Sequence, residues 1–474
     1  MICHIRSSIL ISIFDARFNY SNYKLRDMDA VVDIGGRPGF SCGGFCSFCY
    51  FKGVKKVEPL GCKHCPPHKK GCDYCSRAVV EIQPGFKSLD QLVFEASQQC
   101  ILSQPDSITI KGNGDASFHP DLLKLVQTLS NGVVPIRLDY TSGKGFFIGD
   151  EAGPLVEAGL QRISFSVFST DPELRRRYVN DKHPEAALSN LRTFCERCDL
   201  YAMIVLIPGI NDGRELEKTC NDLEEMGAKG LMLMSFANSK EQGLIFGNEP
   251  LMPGIVPYSV EEIRRIATEI NERYDMRVIG TPLWDPQTGA PFALAHHKKE
   301  LNRLPAIERS ATIITSSVAY PFLSTIFDEI GEDVNVVAVN KEIGNLITLE
   351  DFNCLDLGSI KERVLIPGMV LAHDQEIRRA LRRDGVRRLV FRGPDALTVE
   401  SERSIYMTTE EVIAREVEAF SGLIRQINDL GGEGTDSTTV QKDRDNCNCE
   451  RIDRSQYQES LIIEDEEDIK QTVV

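Results

Sequence analysis

Seven of the fifteen cysteines in this 474-residue chain fall between Cys42 and Cys75, in the run CGGFCSFCYFKGVKKVEPLGCKHCPPHKKGCDYC. Thiolates gathered this tightly hold metal, or pair as disulfides where the compartment oxidises them. Spacing divides the run in two. Cys42, Cys46 and Cys49 form C-x3-C-x2-C inside a glycine-rich loop. Three thiolates on a short loop can hold three irons of a cubane cluster; the fourth iron then lacks a cysteine and can bind substrate or another ligand. The plain alternative is a zinc knuckle, or three buried and inert thiols. Cys62-x2-Cys65 and Cys72-x2-Cys75 follow. Two such knuckles can give four thiolates to one tetrahedral ion, and ligand type alone leaves zinc and mononuclear iron both open. Pro66, Pro67 and Gly71 favour a compact loop between the knuckles, on which His68 reads as a solvent-exposed residue rather than a fifth ligand.

The elements that must position these groups are legible as alternating strands and helices. Residues 30–34 (AVVDI) read as a strand, broken by Gly35, Gly36, Pro38 and Gly39 just before Cys42. A helix is expected over 89–102 and a strand over 106–110, ending in Gly112-Asn113-Gly114-Asp115. Further strands are expected at 136–140, 163–168, 202–207, 230–235 and 278–280, most of them separated by helical patterns. Repeated βα units of this kind predict a parallel sheet or partial barrel with its ligand site at the strands' C-terminal ends, where the polar and glycine clusters fall.

After about residue 300 the pattern shifts to short strands at 311–315, 334–339, 346–348 and 364–366, a second and smaller α/β domain. Residues 374–392 carry seven arginines and read as a basic helix and a strand; most are expected on a solvated face, with some left to grip an anionic cofactor or the acidic tail. A terminal helix is expected over 410–430. Residues 431–474 hold twelve acidic against five basic residues and read as a disordered acidic tail. Residues 1–27 read as an extension before the first strand. Cys195-x2-Cys198 reads as two partly buried thiols, and Cys100, Cys220 and Cys354 as small core residues.

A net charge of −16 disfavours non-specific binding to nucleic acid. No run approaches the roughly 20 apolar residues of a membrane span. With no convincing export signal, a reducing cytoplasm is expected, which favours ligand cysteines over disulfides.

The C-x3-C-x-aromatic-C pattern, with Phe48 before Cys49, resembles the radical S-adenosylmethionine (SAM) motif. That resemblance implies a 4Fe–4S cluster on Cys42, Cys46 and Cys49, SAM chelated by the open iron, and reductive cleavage of SAM to a 5′-deoxyadenosyl radical. The turn Gly112-Asn113-Gly114-Asp115 resembles the GGE turn whose backbone meets the SAM amino group, with Asn113 and Asp115 in place of the middle Gly and the Glu. Ser166 and Arg175 match positions that commonly touch the SAM ribose or carboxylate; read plainly, they are a barrel-interior serine and a surface arginine.

The resemblance narrows further. The run GGRPGFSCGGFCSFCYFKGVKKVEPLGCKHCPPHKKGCDYC, with SFSVFSTDPELR, VLIPGINDG and RRDGVRRLVFRGP, is similar to the methanogenesis marker protein ten family over residues 28–430. The likeness implies a cobalamin-dependent radical SAM methyltransferase acting on carbon 5 of an arginine in the α subunit of methyl-coenzyme M reductase, supplied by an electron donor. It implies a mononuclear iron on Cys62, Cys65, Cys72 and Cys75, a tyrosine capping the open iron when SAM is absent (Tyr74, or Tyr50), and cobalamin between a barrel over 28–300 and a small domain over 301–430. The chain contains no Asp-x-His-x-x-Gly cobalamin signature. Two other readings stand beside this one: a radical SAM peptide maturase without cobalamin, and a non-enzymatic zinc-binding interaction protein.

Overall fold

Seven parallel strands, taken in chain order without a swap, build the first sheet: β1 (Asp29–Asp33), β2 (Ser107–Lys111), β3 (Ile136–Thr141), β4 (Leu160–Ser166), β5 (Asp199–Leu206), β6 (Gly230–Ser235) and β7 (Arg277–Thr281). The computed structural model describes residues 29–52 and 85–429, except 104, 131–133, 240, 243, 245–249, 282–283, 332, 371, 395 and 400. Cys62, Cys65, Cys72, Cys75, Tyr74 and the acidic tail lie outside the described residues. The chain divides into two compact units. One is 1–52, 82–236 and 265–279; the other is 53–81, 237–264 and 280–474.

In the first unit the strands are buried on both faces, which is why they read as nearly continuous apolar runs. Ile108 and Ile110 of β2, Ile163 and Phe165 of β4, and Leu231 and Leu233 of β6 are all buried. The helix at Leu89–Ser103 covers one face and that at Pro184–Arg197 another part, burying Ala187, Leu191 and Phe194. Strands running the same way put every C-terminal end on one edge, and β1, β2, β3 and β4 deliver their following loops there together.

The second unit carries a four-stranded parallel sheet of β8 (Ala311–Ser316), β9 (Val334–Val339), β10 (Arg363–Ile366) and β11 (Leu389–Arg392), in the order β11-β10-β8-β9. Its core includes Ala290, Phe292 and Leu294 together with Phe327, Phe420 and Ile427. The domain break expected near residue 300 therefore falls inside a packed core, and the division comes at Gly280.

Two other expectations need correction. Residues 346–348 are not a strand: Thr348 caps the helix Leu349–Asn353 through a capping box with Asp351, and Leu346 ends a 3-10 turn. Cys354, expected in a core, is exposed. The arginine-rich stretch follows the expectation: Arg379, Arg382, Arg383 and Arg387 are exposed, while three of the seven arginines also staple loop carbonyls. Arg388 is buried and binds Asp384 with the carbonyls of Leu357, Ile360 and Leu381. Arg392 pairs with Asp374 and the carbonyls of Gly368, Val370 and Ala372. Arg383 reaches the carbonyls of Phe352, Ala380 and Leu355. Among the described residues no helix is long and apolar enough to cross a membrane.

Candidate active site

The loop after β1 turns tightly because glycines let it. The amide of Gly44 donates to the Gly39 carbonyl at 2.8 Å, and that of Ser41 to Arg37 at 2.8 Å. Gly44 has φ 109°, and a Cβ there would collide with the side-chain amide of Asn180, so only glycine fits. Cys42, Cys46 and Cys49 are all free thiols, each partly buried. Burial raises the pKa of each; the Lys144 ammonium works in the opposite direction at all three, and backbone hydrogen bonds do so at Cys42 and Cys49. Cys49 is influenced by the charge of Cys42, and Cys46 by that of Cys49, so the three stand near one another.

A single turn of π-helix, Arg175–Val179, receives this loop. The wider turn ends in a bond from the Asn180 amide back to the Arg175 carbonyl, with Asn180 left-handed at φ 58°. The carbonyls of Tyr178 and Val179 point at the cysteine loop. Tyr178 accepts both the amide (2.8 Å) and the hydroxyl (3.0 Å) of Ser47. Val179 accepts from the Cys46 thiol at 3.4 Å and from Lys144 Nζ at 3.1 Å. Breaks of this kind in helical geometry recur at functional sites. Above the turn, Phe48 stacks on Phe168 with centroids 5.1 Å apart and planes 11° apart, and Phe168 also packs on Tyr178 at 5.8 Å. Phe168 has φ 62°, strained for a bulky residue, and is fully buried.

Arg175 is not the surface arginine of the plain reading. It is 0% exposed, and all five of its N–H donors are engaged. Nε and Nη2 bind Asp181 Oδ2 at 3.0 and 2.8 Å. Nη1 serves the Val167 carbonyl at 2.6 Å and that of Ser166 at 3.4 Å, and Nη2 also serves Ser142 at 2.6 Å. It ties the ends of β3 and β4 to the π-turn. Ser166 is half-buried at the end of β4, and its hydroxyl has no hydrogen-bond partner among the described residues, which leaves it available to a ligand.

The turn Gly112-Asn113-Gly114-Asp115 lies directly against the cysteine loop. The Asn113 amide donates to the Gly35 carbonyl at 2.8 Å and the Asp115 amide to Ser41 at 3.0 Å. A Cβ on Gly114 would stand 2.7 Å from Ser41 Cβ. With these amides engaged, a ligand's amino group could meet only the turn's carbonyls, which are acceptors. Asp115 faces inward. Its buried carboxylate accepts from Thr141 Oγ1 (2.6 Å), Ser117 N (3.0 Å), Ser117 Oγ (2.8 Å), Ser142 N (3.0 Å) and Ser142 Oγ. It fastens the β2 turn to the end of β3.

Two residues of this site were not singled out from the sequence. Lys144, in the loop after β3, is almost fully buried. Tyr140 is half-buried, and burial above all, then the charge of Asp115 and of all three cysteines, pushes its pKa well above the ordinary tyrosine value. Of the tyrosines named from sequence, Tyr50 lies in the turn beside Cys49 and Tyr74 is outside the described residues. The one available signal for Lys144 and Tyr140 was position: both flank the polar turn at the C-terminal end of a central strand.

Elsewhere in the first unit Cys195, Cys198 and Cys220 are thiols that burial pushes up to about 12. Among the described residues no three His, Cys, Asp or Glu side chains converge to hold a single metal ion. A cubane does not require that, because its three thiolates bind three different irons.

Residues 149–230 match the family model described as the Radical SAM-like domain, a stretch covering β4, the π-turn and β5. No curated protein matches the chain by sequence. Among solved structures, the chain is similar to SuiB of Streptococcus suis, at 11% identity and a TM-score of 0.37, over 60% of this chain and 54% of that one. A radical SAM methyltransferase from Sphaerobacter thermophilus aligns at 14% identity and 0.30, over 48% and 64% of the two chains. TsrM from Kitasatospora setae, solved with cobalamin and a [4Fe-4S] cluster, aligns at 15% and 0.26, over 34% and 32%. The chain spans about half the length of SuiB. At these scores the three likenesses carry no inference about chemistry.

Proposed function

We propose that this chain is a radical SAM methyltransferase that uses cobalamin to C-methylate carbon 5 of an arginine side chain in the α subunit of methyl-coenzyme M reductase. It carries a radical SAM-like domain, and that family implies a 4Fe–4S cluster and SAM. The observation that carries the reading is the C-x3-C-x2-C loop seated at the C-terminal ends of a parallel sheet, with its thiols unpaired and facing a polar turn.

The residues fit the cluster. Cys42, Cys46 and Cys49 would hold it, and metal binding would replace the thiol protons that burial now favours. When bound, the cluster and SAM together supply a carbon radical able to take hydrogen from an unactivated C–H bond. The chain's own contribution is position and exclusion of water. Ser47 and Lys144 anchor the loop to the π-turn, Phe48 and Phe168 close one side with stacked rings, and Asp115 fixes the glycine turn against Ser41. Ser166 offers a free hydroxyl to a ribose or carboxylate. An arginine carbon is too weakly acidic for any general base here, which is why a radical route suits this substrate.

Cobalamin is proposed from the family resemblance, and the described residues supply no signature for it. In the second unit, the place its topology favours for a ligand is the crevice beyond the C-terminal ends of β8 and β10, where the strand order reverses. The four-cysteine iron or zinc site, the capping role of Tyr74, and the reductase and electron donor as partners belong to the same proposal.

Anaerobically reconstituted protein, given SAM, methylcobalamin, a reductant and an arginine peptide from the reductase, should add one methyl group to the peptide by mass. Normal deoxyadenosine production without that gain would sink the substrate assignment. Failure of cobalamin to bind would favour a maturase that works without it.

A further inference from the structure

We propose that Lys144 is a built-in counter-charge of the cluster site, positioning Cys46 and raising the reduction potential of the cluster it helps hold. The inference rests on the cluster reading above. Lys144 is 4% exposed, and among the described residues no carboxylate pairs with it. Two N–H groups are spent on carbonyls, Gly44 at 3.0 Å on the cysteine loop and Val179 at 3.1 Å on the π-turn. The same nitrogen stands 3.9 Å from Cys46 Sγ.

A buried ammonium with only neutral partners is costly, because carbonyl dipoles do not replace a counter-ion. The group of opposite potential charge that this nitrogen contacts is the Cys46 sulfur, neutral as a thiol and anionic once it ligates iron. The ammonium therefore gains its counter-ion when the cluster loads. Adding one electron to the cluster makes it more negative at short range from this fixed cation, in a site shielded from water. The cation stabilises the reduced form more than the oxidised one, and the potential rises. Its two carbonyl bonds also clamp residue 44 to residue 179, so charge and position come from one side chain.

The test uses the full chain, reconstituted anaerobically with iron and sulfide, as wild type, Lys144→Met and Lys144→Arg. The readout is the midpoint of the cluster's one-electron reduction, with dithionite as electron donor and the EPR signal of the reduced cubane as probe. Lys144→Met should lower the reduced-to-oxidised ratio at the wild-type midpoint at least tenfold, about 59 mV for one electron. Lys144→Arg should stay within threefold of wild type. A Met variant with wild-type iron and sulfide content and an unmoved midpoint overturns the proposal while leaving the cluster reading intact. Should Lys144→Met fail to hold a cluster, wild-type protein labelled with 15N-lysine takes its place: a lysine 15N coupling in pulsed EPR of the reduced cluster supports the proposal, and its absence overturns it. Wild type that assembles no cubane defeats the cluster reading and this proposal together.

Discussion

Removing the Arg175 guanidinium should unfold the first unit's site from inside, with SAM absent. Arg175 and Asp181 are each 0% exposed, and their pairing is bidentate onto one oxygen at 2.8 and 3.0 Å. Arg175→Met deletes five hydrogen bonds and leaves the Asp181 carboxylate buried with the His183 amide at 3.0 Å as its remaining partner. Breaking a buried pair from one side costs about 3–5 kcal/mol, because the residual charge has lost its counter-ion. For a unit of this size that lowers the melting temperature by roughly 2–4 °C per kcal/mol, so on the order of 10 °C. Arg175→Met with Asp181→Leu removes both charges and should recover most of the loss, since well-packed apolar replacements of buried pairs are often near neutral. The assay is urea or thermal unfolding of metal-free protein without SAM, as a double-mutant cycle. If Arg175→Met melts as wild type yet loses SAM affinity, the arginine acts on the ligand and the structural role argued here is wrong. If the double variant is no better than the single, the coupling to Asp181 is not the source of the loss.

Three other outcomes follow from the same contacts. Replacing Cys42, Cys46 or Cys49 by Ala should abolish SAM cleavage and cubane EPR, whereas Cys65→Ala or Cys72→Ala should leave the cubane assembled; loss of the cubane in the latter pair refutes a division of the seven cysteines into two sites. His119 donates from Nε2 to the Lys87 carbonyl at 3.1 Å and accepts the Asp121 amide on Nδ1 at 3.2 Å, and burial lowers its pKa below the usual 6.5. The folded state thus favours neutral His119: its contribution is complete above the unfolded value and is lost as pH falls through the lowered one. Urea midpoints should drop more steeply from about pH 7 to pH 5 for wild type than for His119→Gln, and parallel slopes would contradict it. Peptide mapping after iodoacetamide near neutral pH should label exposed Cys354 and spare Cys195, Cys198 and Cys220, whose thiols are held up to about 12; equal labelling would show that their surroundings do not suppress the thiolate.

Much of the site was readable in the residues because its signals are local. A cysteine loop straight after a strand, glycines at 112 and 114, and polar clusters at strand ends are properties of neighbours in sequence, as are apolar runs that predict buried parallel strands. The chain alone thus determined a parallel α/β sheet and the seat of the cysteine loop at the C-terminal ends of its strands. What needs a partner distant in the chain was decided only by tertiary structure. Arg175 looks exposed in a polar run, RRR, and only the approach of Asp181 and three carbonyls turns it into a buried keystone. Asp115 resembles a ligand contact until Thr141 and Ser142 come within reach of its carboxylate. Lys144 is marked in the sequence only by its position after a strand end; Gly44, 100 residues away, and Val179 give it a place beside Cys46. Strand propensity at 346–348 lost to a capping box, and Arg383, Arg388 and Arg392 became staples for loop carbonyls. In each case a buried polar group had to find its partner, and sequence records the group without recording which distant backbone will meet it.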